Sequence, residues 1–203
     1  MWGVLRGLES FSQLVYPSSH HGQTQLLLLN LTEIRDGPRF THRGVLLDTS
    51  RHFITKNVIK DNLDLMEMNK LNVFHWHLTD DQSFPYVSRR FPDLSSQGAW
   101  HHRLAVYTQE NVADIIEYAR LRGIRVIAEF DTPGHTQAFE PGHPGLLTEC
   151  YDDRGMKNGK HGPMDPTKQA VYRFVEAFFE EITQVFPEKY LHLGGDEVDF
   201  KCW

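Results

Sequence analysis

The sequence contains no long hydrophobic run. No aliphatic stretch is longer than Leu26–Leu29, whereas a helix needs about 20 apolar residues to cross a bilayer. The sequence therefore predicts no transmembrane segment. Met1-Trp2-Gly3 is not followed by a basic and then an apolar segment, so no secretory signal peptide is visible in the chain as written.

The sequence also lacks an excess of positive charge. Lys and Arg total 21 against 27 Asp and Glu, which gives a formal net charge of −6 with the 12 histidines neutral. Nucleic-acid-binding domains usually carry a basic stripe, so this balance argues against a nucleic-acid partner. No Gly-x-Gly-x-x-Gly turn follows the first predicted strand, and dinucleotide binding therefore has no support.

Cys150 and Cys202 are the only cysteines. They are either two free thiols or one disulfide, and the residues alone leave both possibilities open. A disulfide would indicate an oxidising compartment. Asn30-Leu31-Thr32 matches an N-glycosylation sequon, which matters only in a secreted protein.

The chain has 203 residues, enough for one domain with a sizeable core but fewer than the roughly 250 of a complete α/β barrel. Residues 1–39 are predicted to be the tail of a preceding α+β domain and a linker. In that segment, helical spacing of apolar residues runs from Leu5 to Val15, a polar break covers Pro17–Gly22, and Gln25–Leu31 is predicted as a strand. Asp36-Gly37-Pro38 is predicted as a turn.

From residue 40 onward, apolar strands alternate with helices. The predicted strands are Gly44–Leu47, Asn72–His77, Ile124–Phe130 and Tyr190–Leu193. The first predicted helix covers Asn57–Leu71. The second is capped by Thr108 and stopped by Gly123, and the third is capped by Asp165 with Pro166 at its first position. This alternation predicts a parallel sheet, either a barrel or a doubly wound open sheet.

A cluster of polar side chains follows or closes each predicted strand. The clusters are Asp48–His52, His75–Asp81, Glu129–His135 and His192–Asp199. Active sites of parallel barrels lie at the carboxyl ends of the strands. Four such clusters, each with a carboxylate and a His or Arg, therefore predict one polar site at that end of the sheet.

Asp196 and Glu197 are the strongest candidates for proton transfer. Neighbours on a regular strand point to opposite faces, but Gly194-Gly195 before the pair lets the chain leave strand geometry. Two carboxylates in one site should raise one pKa toward neutrality. Arg51 is expected to bind hydroxyls or a carboxylate. Asp131 and His135 are expected to form a second pair, in which each side chain orients the other.

The histidines raise a metal alternative. In His75-Trp76-His77 the two imidazoles share a face of the strand, as in metal-dependent barrel hydrolases. No further ligand set is evident in the sequence, so no metal is predicted and this hydrolase remains an alternative. His20-His21 and His101-His102 lie in polar loops and are expected to be solvated.

Several long motifs resemble family 20 glycoside hydrolases, the β-N-acetylhexosaminidases, and among them the animal lysosomal subunits. The motifs are Arg39–Gly44, Asp48–His52, Asn72–His77, Asp80–Pro85, Glu129–His135 and His192–Val198. The resemblance implies the first half of a TIM (β/α)8 barrel, about four βα units. It also implies a retaining enzyme that removes terminal β-linked N-acetylglucosamine or N-acetylgalactosamine through an oxazolinium formed by the substrate's own acetamido group.

The resemblance assigns roles to residues of this sequence. Glu197 would be the general acid and base, and Asp196 would orient the acetamido group. Arg51 would bind sugar hydroxyls. Asp80 and His135 would support the acid and the ring, with Asp131 and His77 behind them. The resemblance also implies a Cys150–Cys202 disulfide, a glycan on Asn30, and no cofactor.

The expected partners also come from the resemblance. They are the terminal N-acetylhexosamine of glycoproteins, glycosaminoglycans or glycolipids, and a related subunit in a homo- or heterodimer in the lysosome. Four strands of eight would leave two open sheet edges. A catalytically inactive chain that acts only by associating with a full-length subunit is therefore the first alternative, and the metal-dependent hydrolase is the second.

Overall fold

A computed structural model describes residues 2–18 and 26–203. In chain order the elements are α1 (Trp2–Leu14), β1 (Tyr16–Pro17), β2 (Leu27–Leu28), β3 (Gly44–Asp48), α2 (Lys56–Met68), β4 (Val73–Thr79), α3 (Asp93–Gly98), α4 (Gln109–Leu121), β5 (Arg125–Phe130), β6 (Leu147–Tyr151), β7 (Lys157–Met164) and α5 (Gln169–Val185). Three predictions lie at least partly outside the described residues: the solvation expected for His20-His21, most of the polar break, and the first residue of the strand predicted at 25–31.

The centre of the fold is a parallel sheet of three strands in the order β3-β4-β5. Its register aligns Leu47 with Trp76, and Trp76 with Ala128. Since side chains alternate along a strand, Phe74, Trp76 and Leu78 of β4 enter the hydrophobic core. His75 and His77 lie on the opposite face.

Two helical crossovers join the strands, as the alternation predicts. In α2, Ile59, Leu63 and Met66 are buried on one face. Before α4, the Thr108 hydroxyl accepts the backbone N–H of Asn111, and Gly123 follows the helix end with a φ of 66°, so both predicted end signals are confirmed. The predicted end of the first helix was three residues too late, because the chain already turns at Asn69 and Lys70.

Helix α5 covers the same core from outside. Val171, Phe174, Phe178 and Ile182 form its buried stripe, as the spacing predicts. The predicted cap is wrong. The helix begins at Gln169, because the Asp165 carboxylate accepts the backbone N–H (2.9 Å) and the hydroxyl (2.7 Å) of Thr167 and so stabilises a turn before the helix.

The fourth predicted strand, 190–193, is reduced to one parallel bridge between Glu129 and His192. Backbone N–H groups of Phe130 and Thr132 still donate to His192 and Leu193 at 3.2 and 2.8 Å. The segment therefore runs along β5 as predicted. It stops being a ladder because Gly194 and Gly195 take φ values of 70° and 105°.

Sequence patterns did not reveal the antiparallel hairpin β6–β7. Its second strand contains Asn158, Gly159, Gly162 and Pro163, all of types that are depleted in strands. The hairpin is fastened by a disulfide between Cys150 and Cys202, so the pairing implied by the family resemblance is confirmed.

The helical spacing of apolar residues from Leu5 to Val15 corresponds to α1. None of its residues is buried, and it is attached by the Arg6 guanidinium, which donates to the carbonyls of Glu67, Leu71 and Arg122 at 3.0, 3.2 and 2.6 Å. A cavity of about 1180 Å³ lies between α1 and the amino ends of the strands, remote from the polar clusters. Among the described residues, no helix is both long and apolar enough to span a membrane.

Candidate active site

The carboxyl ends of the parallel strands bring the predicted residues into one cluster. Asp48 is the last residue of β3, Arg51 lies in the turn after it, and Asp80 lies in the turn after β4. Asp131 and His135 follow β5, and Asp196 and Glu197 follow the bridge at His192. The cluster is therefore assembled by strand order, as expected for the carboxyl edge of a parallel sheet.

Asp80 is the centre of this cluster and is fully buried. Its Oδ2 lies 2.9 Å from Nη2 of Arg51 and 2.8 Å from Nε2 of His77. Its Oδ1 accepts the backbone N–H of Asp81 at 2.7 Å and lies 3.2 Å from Nδ1 of His135. Burial opposes the charge of Asp80, but these donors outweigh it and lower the pKa of the carboxyl.

Arg51 is held at the edge of the cluster. Its Nη1 donates to Oδ2 of Asp48 at 2.8 Å, and the Asp48 Oδ1 accepts the backbone N–H groups of Ser50 and Arg51. Burial disfavours the charge of Arg51, but the hydrogen bond to Asp48 and the charge of Asp80 raise its pKa. With 42% of its side chain exposed, the guanidinium remains accessible to a ligand.

His135 links the buried centre to the acidic pair. Its Nδ1 faces Asp80, so the predicted orienting pair of Asp131 and His135 is replaced by Asp80 and His135. Its Nε2 lies 3.7 Å from Oδ2 of Asp196 and 3.6 Å from Oε2 of Glu197. Nε2 is buried without a hydrogen-bond partner among the described residues. It is therefore free to interact with a group placed between the two carboxylates.

Asp196 and Glu197 stand at the open side of the cluster, with 69% and 80% of their side chains exposed. The two glycines turn the chain as predicted, so that both carboxylates approach one imidazole nitrogen. Gly194 cannot be replaced without displacement, because a Cβ there would lie 1.6 Å from Oδ1 of Asp131. That same Oδ1 accepts the backbone N–H of Gly195 at 3.0 Å.

Asp131 is the carboxylic acid of the cluster whose pKa is clearly raised, to about 6. Burial is the main cause, the Gly195 N–H opposes it, and the negative charge of Asp196 adds to the rise. The carboxyl group of Asp131 therefore titrates at a higher pH than an ordinary aspartate.

Glu129 is a buried member of the site that the sequence prediction left without a role. It lies on β5 opposite His77 in the register, and its side chain is 6% exposed. The signal was available, since a Glu inside the apolar run Arg125–Phe130 must find a buried partner. The strand pairing that supplies the partner was not visible in the sequence.

Several groups of side chains in this region have the composition of metal ligands. His75, Glu129 and His192 place donor atoms within 4.8 Å of one another, as do His77, Asp80 and Asp131. These atoms already contact each other: His75 Nε2 faces a Glu129 oxygen, and His192 Nδ1 also accepts the backbone N–H of Gly194 at 3.1 Å. The arrangement is better explained by hydrogen bonding, and the metal-dependent alternative gains no support from it.

Comparisons with known proteins agree with the motifs. Residues 40–203 match the family described as glycosyl hydrolase family 20, catalytic domain. Over all 203 residues the chain is 56% identical to beta-hexosaminidase subunit alpha of Mus musculus and 54% identical to subunit beta of Homo sapiens. It covers 38% and 35% of those proteins, so the chain spans little more than a third of the length of these relatives.

Solved structures show the same similarity. The chitobiase of Flavobacterium johnsoniae superposes with a TM-score of 0.85 at 36% identity, over 99% of this chain and 30% of that one. The exo β-N-acetylglucosaminidase of Vibrio harveyi, solved with N-acetylglucosamine, gives a TM-score of 0.77 at 30% identity, over 99% of this chain and 34% of the other.

Proposed function

The chain belongs to glycosyl hydrolase family 20, and from this membership we propose that it removes terminal, non-reducing, β-linked N-acetylglucosamine or N-acetylgalactosamine from glycans. The observation that carries the proposal is the approach of Asp196 and Glu197 to Nε2 of His135, which Asp80 holds from behind. Two exposed carboxylates at a buried imidazole form a site suited to proton transfer.

The proposed mechanism is retaining and substrate-assisted. Glu197 protonates the glycosidic oxygen while the substrate's 2-acetamido oxygen attacks the anomeric carbon, which gives an oxazolinium and the free aglycone. Asp196 orients the acetamido group and stabilises the positive charge that develops on it. Glu197 then removes a proton from the water that opens the oxazolinium, so the β configuration is retained. The absence of a protein nucleophile places this scheme among the exceptions to the two-carboxylate mechanism.

The other site residues support these steps. Arg51 is fixed by Asp48 and Asp80 but still accessible, which suits it to bind sugar hydroxyls. Asp80 orients His135, and the Asp131 carboxylate holds the glycine turn that presents the acidic pair. No cofactor is required by any step.

The architecture is proposed to be the first half of a (β/α)8 barrel, with residues 1–39 as the remnant of an α+β domain. The parallel order β3-β4-β5 and the further parallel bridge at His192 support the barrel. The family match to residues 40–203 supports the domain boundary.

Substrates, assembly and location follow from the same membership. We propose glycoproteins, glycosaminoglycans or glycolipids as carriers of the terminal sugar, and a dimer with a like or related subunit, since the relatives are named as subunits. The disulfide supports an oxidising compartment on the route to the lysosome. Asn30 is exposed, as a glycosylated asparagine must be.

The test measures nitrophenol release from 4-nitrophenyl β-N-acetylglucosaminide by the purified chain. We expect Glu197→Gln to lower kcat/KM about 10²-fold or more, because it removes the general acid. The loss should shrink with a dinitrophenyl leaving group, which departs without protonation. Asp153→Asn, an exposed carboxylate in the turn between β6 and β7, is the control that should leave activity unchanged.

The outcomes separate the enzyme from the second candidate. If the chain releases nitrophenol and Glu197→Gln releases it equally fast, Glu197 is not the general acid. No release, while the mouse relative is active in the same assay, would contradict enzymatic function for this chain. The second candidate, association with a full-length subunit, is favoured by the exposed apolar residues Val45, Leu46 and Leu193 near the sheet edges. Co-elution of an inactive chain with the mouse relative would support it.

A further inference from the structure

Glu129 is the meeting point of three imidazoles on the face of the sheet opposite the core. Its Oε2 contacts Nε2 of His75 and lies 3.1 Å from Nδ1 of His77, while its Oε1 lies 3.2 Å from Nδ1 of His192. Two of these imidazoles, His75 and His77, hydrogen-bond the carboxylate, which offsets the cost of burying its charge.

His77 is enclosed between two carboxylates. Its Nδ1 faces Glu129, and its Nε2 lies 2.8 Å from Oδ2 of Asp80. An ionised carboxylate only accepts hydrogen bonds, and a neutral imidazole has one N–H. A neutral His77 would therefore turn a lone pair toward one of the two buried anions. Both contacts are satisfied only when both ring nitrogens carry a proton.

We propose that Glu129 is a positioning residue that holds His77 as a lasting imidazolium, through which it fixes the Asp80 carboxylate against His135 and Arg51. Glu129 itself touches none of the residues assigned to the acid-base step. The protonation of His77 stands on the geometry alone, whereas its consequence for catalysis rests on the proposed hexosaminidase function.

The charges around His77 agree with this assignment. Burial opposes the imidazolium, but the hydrogen bonds to Asp80 and Glu129 outweigh it and raise the pKa of His77 to about 10. Burial likewise opposes ionisation of Glu129, yet its imidazole partners lower its pKa. Asp48 faces His77 across the register from β3 and adds further negative charge.

Asp131 is a further acidic neighbour, since its carboxylate, His77 and Asp80 place donor atoms within 4.8 Å of one another. The basic neighbours divide between Glu129 and Asp80. His75 and His192 contact Glu129, from β4 and from the segment beside β5. Arg51 and His135 contact Asp80, from the loops after β3 and β5. The His77 imidazolium thus lies between the Glu129 and Asp80 carboxylates, and each of the other basic side chains contacts one of these two carboxylates. Removing Glu129 removes one of the two anions and with it the need for the second ring proton.

The first test is nuclear magnetic resonance of the chain with ¹⁵N-labelled histidine rings, which needs no activity. We expect one imidazole signal, absent in His77→Gln, to keep both ring protons up to pH 9. In Glu129→Gln the same ring should lose one proton within the range from pH 6 to 9. Glu176→Gln, an exposed position on α5, is the matched control.

The result that overturns the proposal is a His77 ring that titrates near 6.5 in the unsubstituted chain, or one that remains doubly protonated at pH 9 in Glu129→Gln. The first of these needs no variant, so misfolding of Glu129→Gln would not remove the test.

The second test addresses positioning. In the hexosaminidase assay, Glu129→Gln should lower kcat about tenfold or more and leave KM nearly unchanged, with the loss growing as the pH rises through the range in which His77 loses its charge. An unchanged kcat and pH profile, beside an NMR result as expected, would overturn the positioning role. If the unsubstituted chain shows no turnover, the proposed function alone fails, because the ring protonation is read independently.

Discussion

At the residue scale, the conformation of the acidic pair depends on the two glycines before it. Gly194 and Gly195 both have positive φ values, 70° and 105°, but only Gly194 faces a side chain, the Asp131 carboxylate. A Cβ at Gly195 would meet nothing within 4 Å. A side chain would therefore strain the backbone at both positions, but it would clash with a neighbour only at Gly194.

This difference predicts unequal effects of two alanine substitutions. Gly195→Ala should lower the free energy of unfolding by about 1–2 kcal/mol, the cost of a left-handed residue with a Cβ. Gly194→Ala should lower it further, because the methyl group must displace Asp131. Urea unfolding of both variants checks this. Equal losses would show that the Asp131 contact does not constrain the turn.

At the element scale, the hairpin β6–β7 and the segment after Glu197 form one unit. The Cys150–Cys202 disulfide joins them across 52 positions, and Nε1 of Trp203 donates to the carbonyl of Met164 at 3.2 Å. Gly162 leaves room for the crossing, since a Cβ there would lie 2.5 Å from that of Cys202. The last residues of the chain are thereby held beside the acidic pair.

Loss of this disulfide should therefore affect both stability and the site. Replacing both cysteines by serine should cost roughly 2–5 kcal/mol of unfolding free energy, because the long loop between them is no longer closed. Hydrogen exchange should accelerate in the backbone of β6 and of residues 194–203. Exchange in α2, on the other side of the core, is the internal control. Unchanged exchange at 194–203 would mean that the disulfide does not order the acidic pair.

At the scale of the whole molecule, one hydrophobic core joins the sheet to helices α2, α4 and α5. Phe178 of α5 is near its centre, with its ring packed edge-on against Phe84, Phe130 and Phe139 at centroid distances of 5.2 to 6.1 Å. These aromatic residues come from the β4–α3 loop, β5 and the turn after His135. Side chains that are distant in sequence thus pack together in one hydrophobic core.

Truncating this ring should destabilise the molecule as a unit. Phe178→Ala is expected to lower the unfolding free energy by about 3–5 kcal/mol through lost burial and a cavity. Tryptophan fluorescence and far-ultraviolet circular dichroism should shift together in denaturant, because the core is shared. Glu176→Ala, on the exposed face of the same helix, should change stability little. Two separate transitions would contradict a single core.

Much of the parallel framework could be predicted because its signals are local. Apolar runs predict the three strands β3, β4 and β5. Thr108 and Gly123 predict the two ends of α4. Each of these signals involves only a few neighbouring residues. The cap predicted at Asp165 was wrong, and the strand predicted at 190–193 is shortened to a single bridge, because in each place a local signal competed with another contact. The Asp165 carboxylate stabilises a turn, and the two glycines end the fourth ladder after one bridge.

The sequence by itself determined which chemistry is present at the carboxyl ends of the strands, since the polar clusters stand at fixed places in the alternation. It also determined the family, through long motifs around Arg51, Asp80, His135 and the acidic pair. Only the tertiary structure decided which groups face each other. It placed Asp80, rather than Asp131, against His135, and it brought Glu129 to His77. The physical reason is that strand register and loop closure pair residues more than 50 positions apart, and neither is encoded in any short segment.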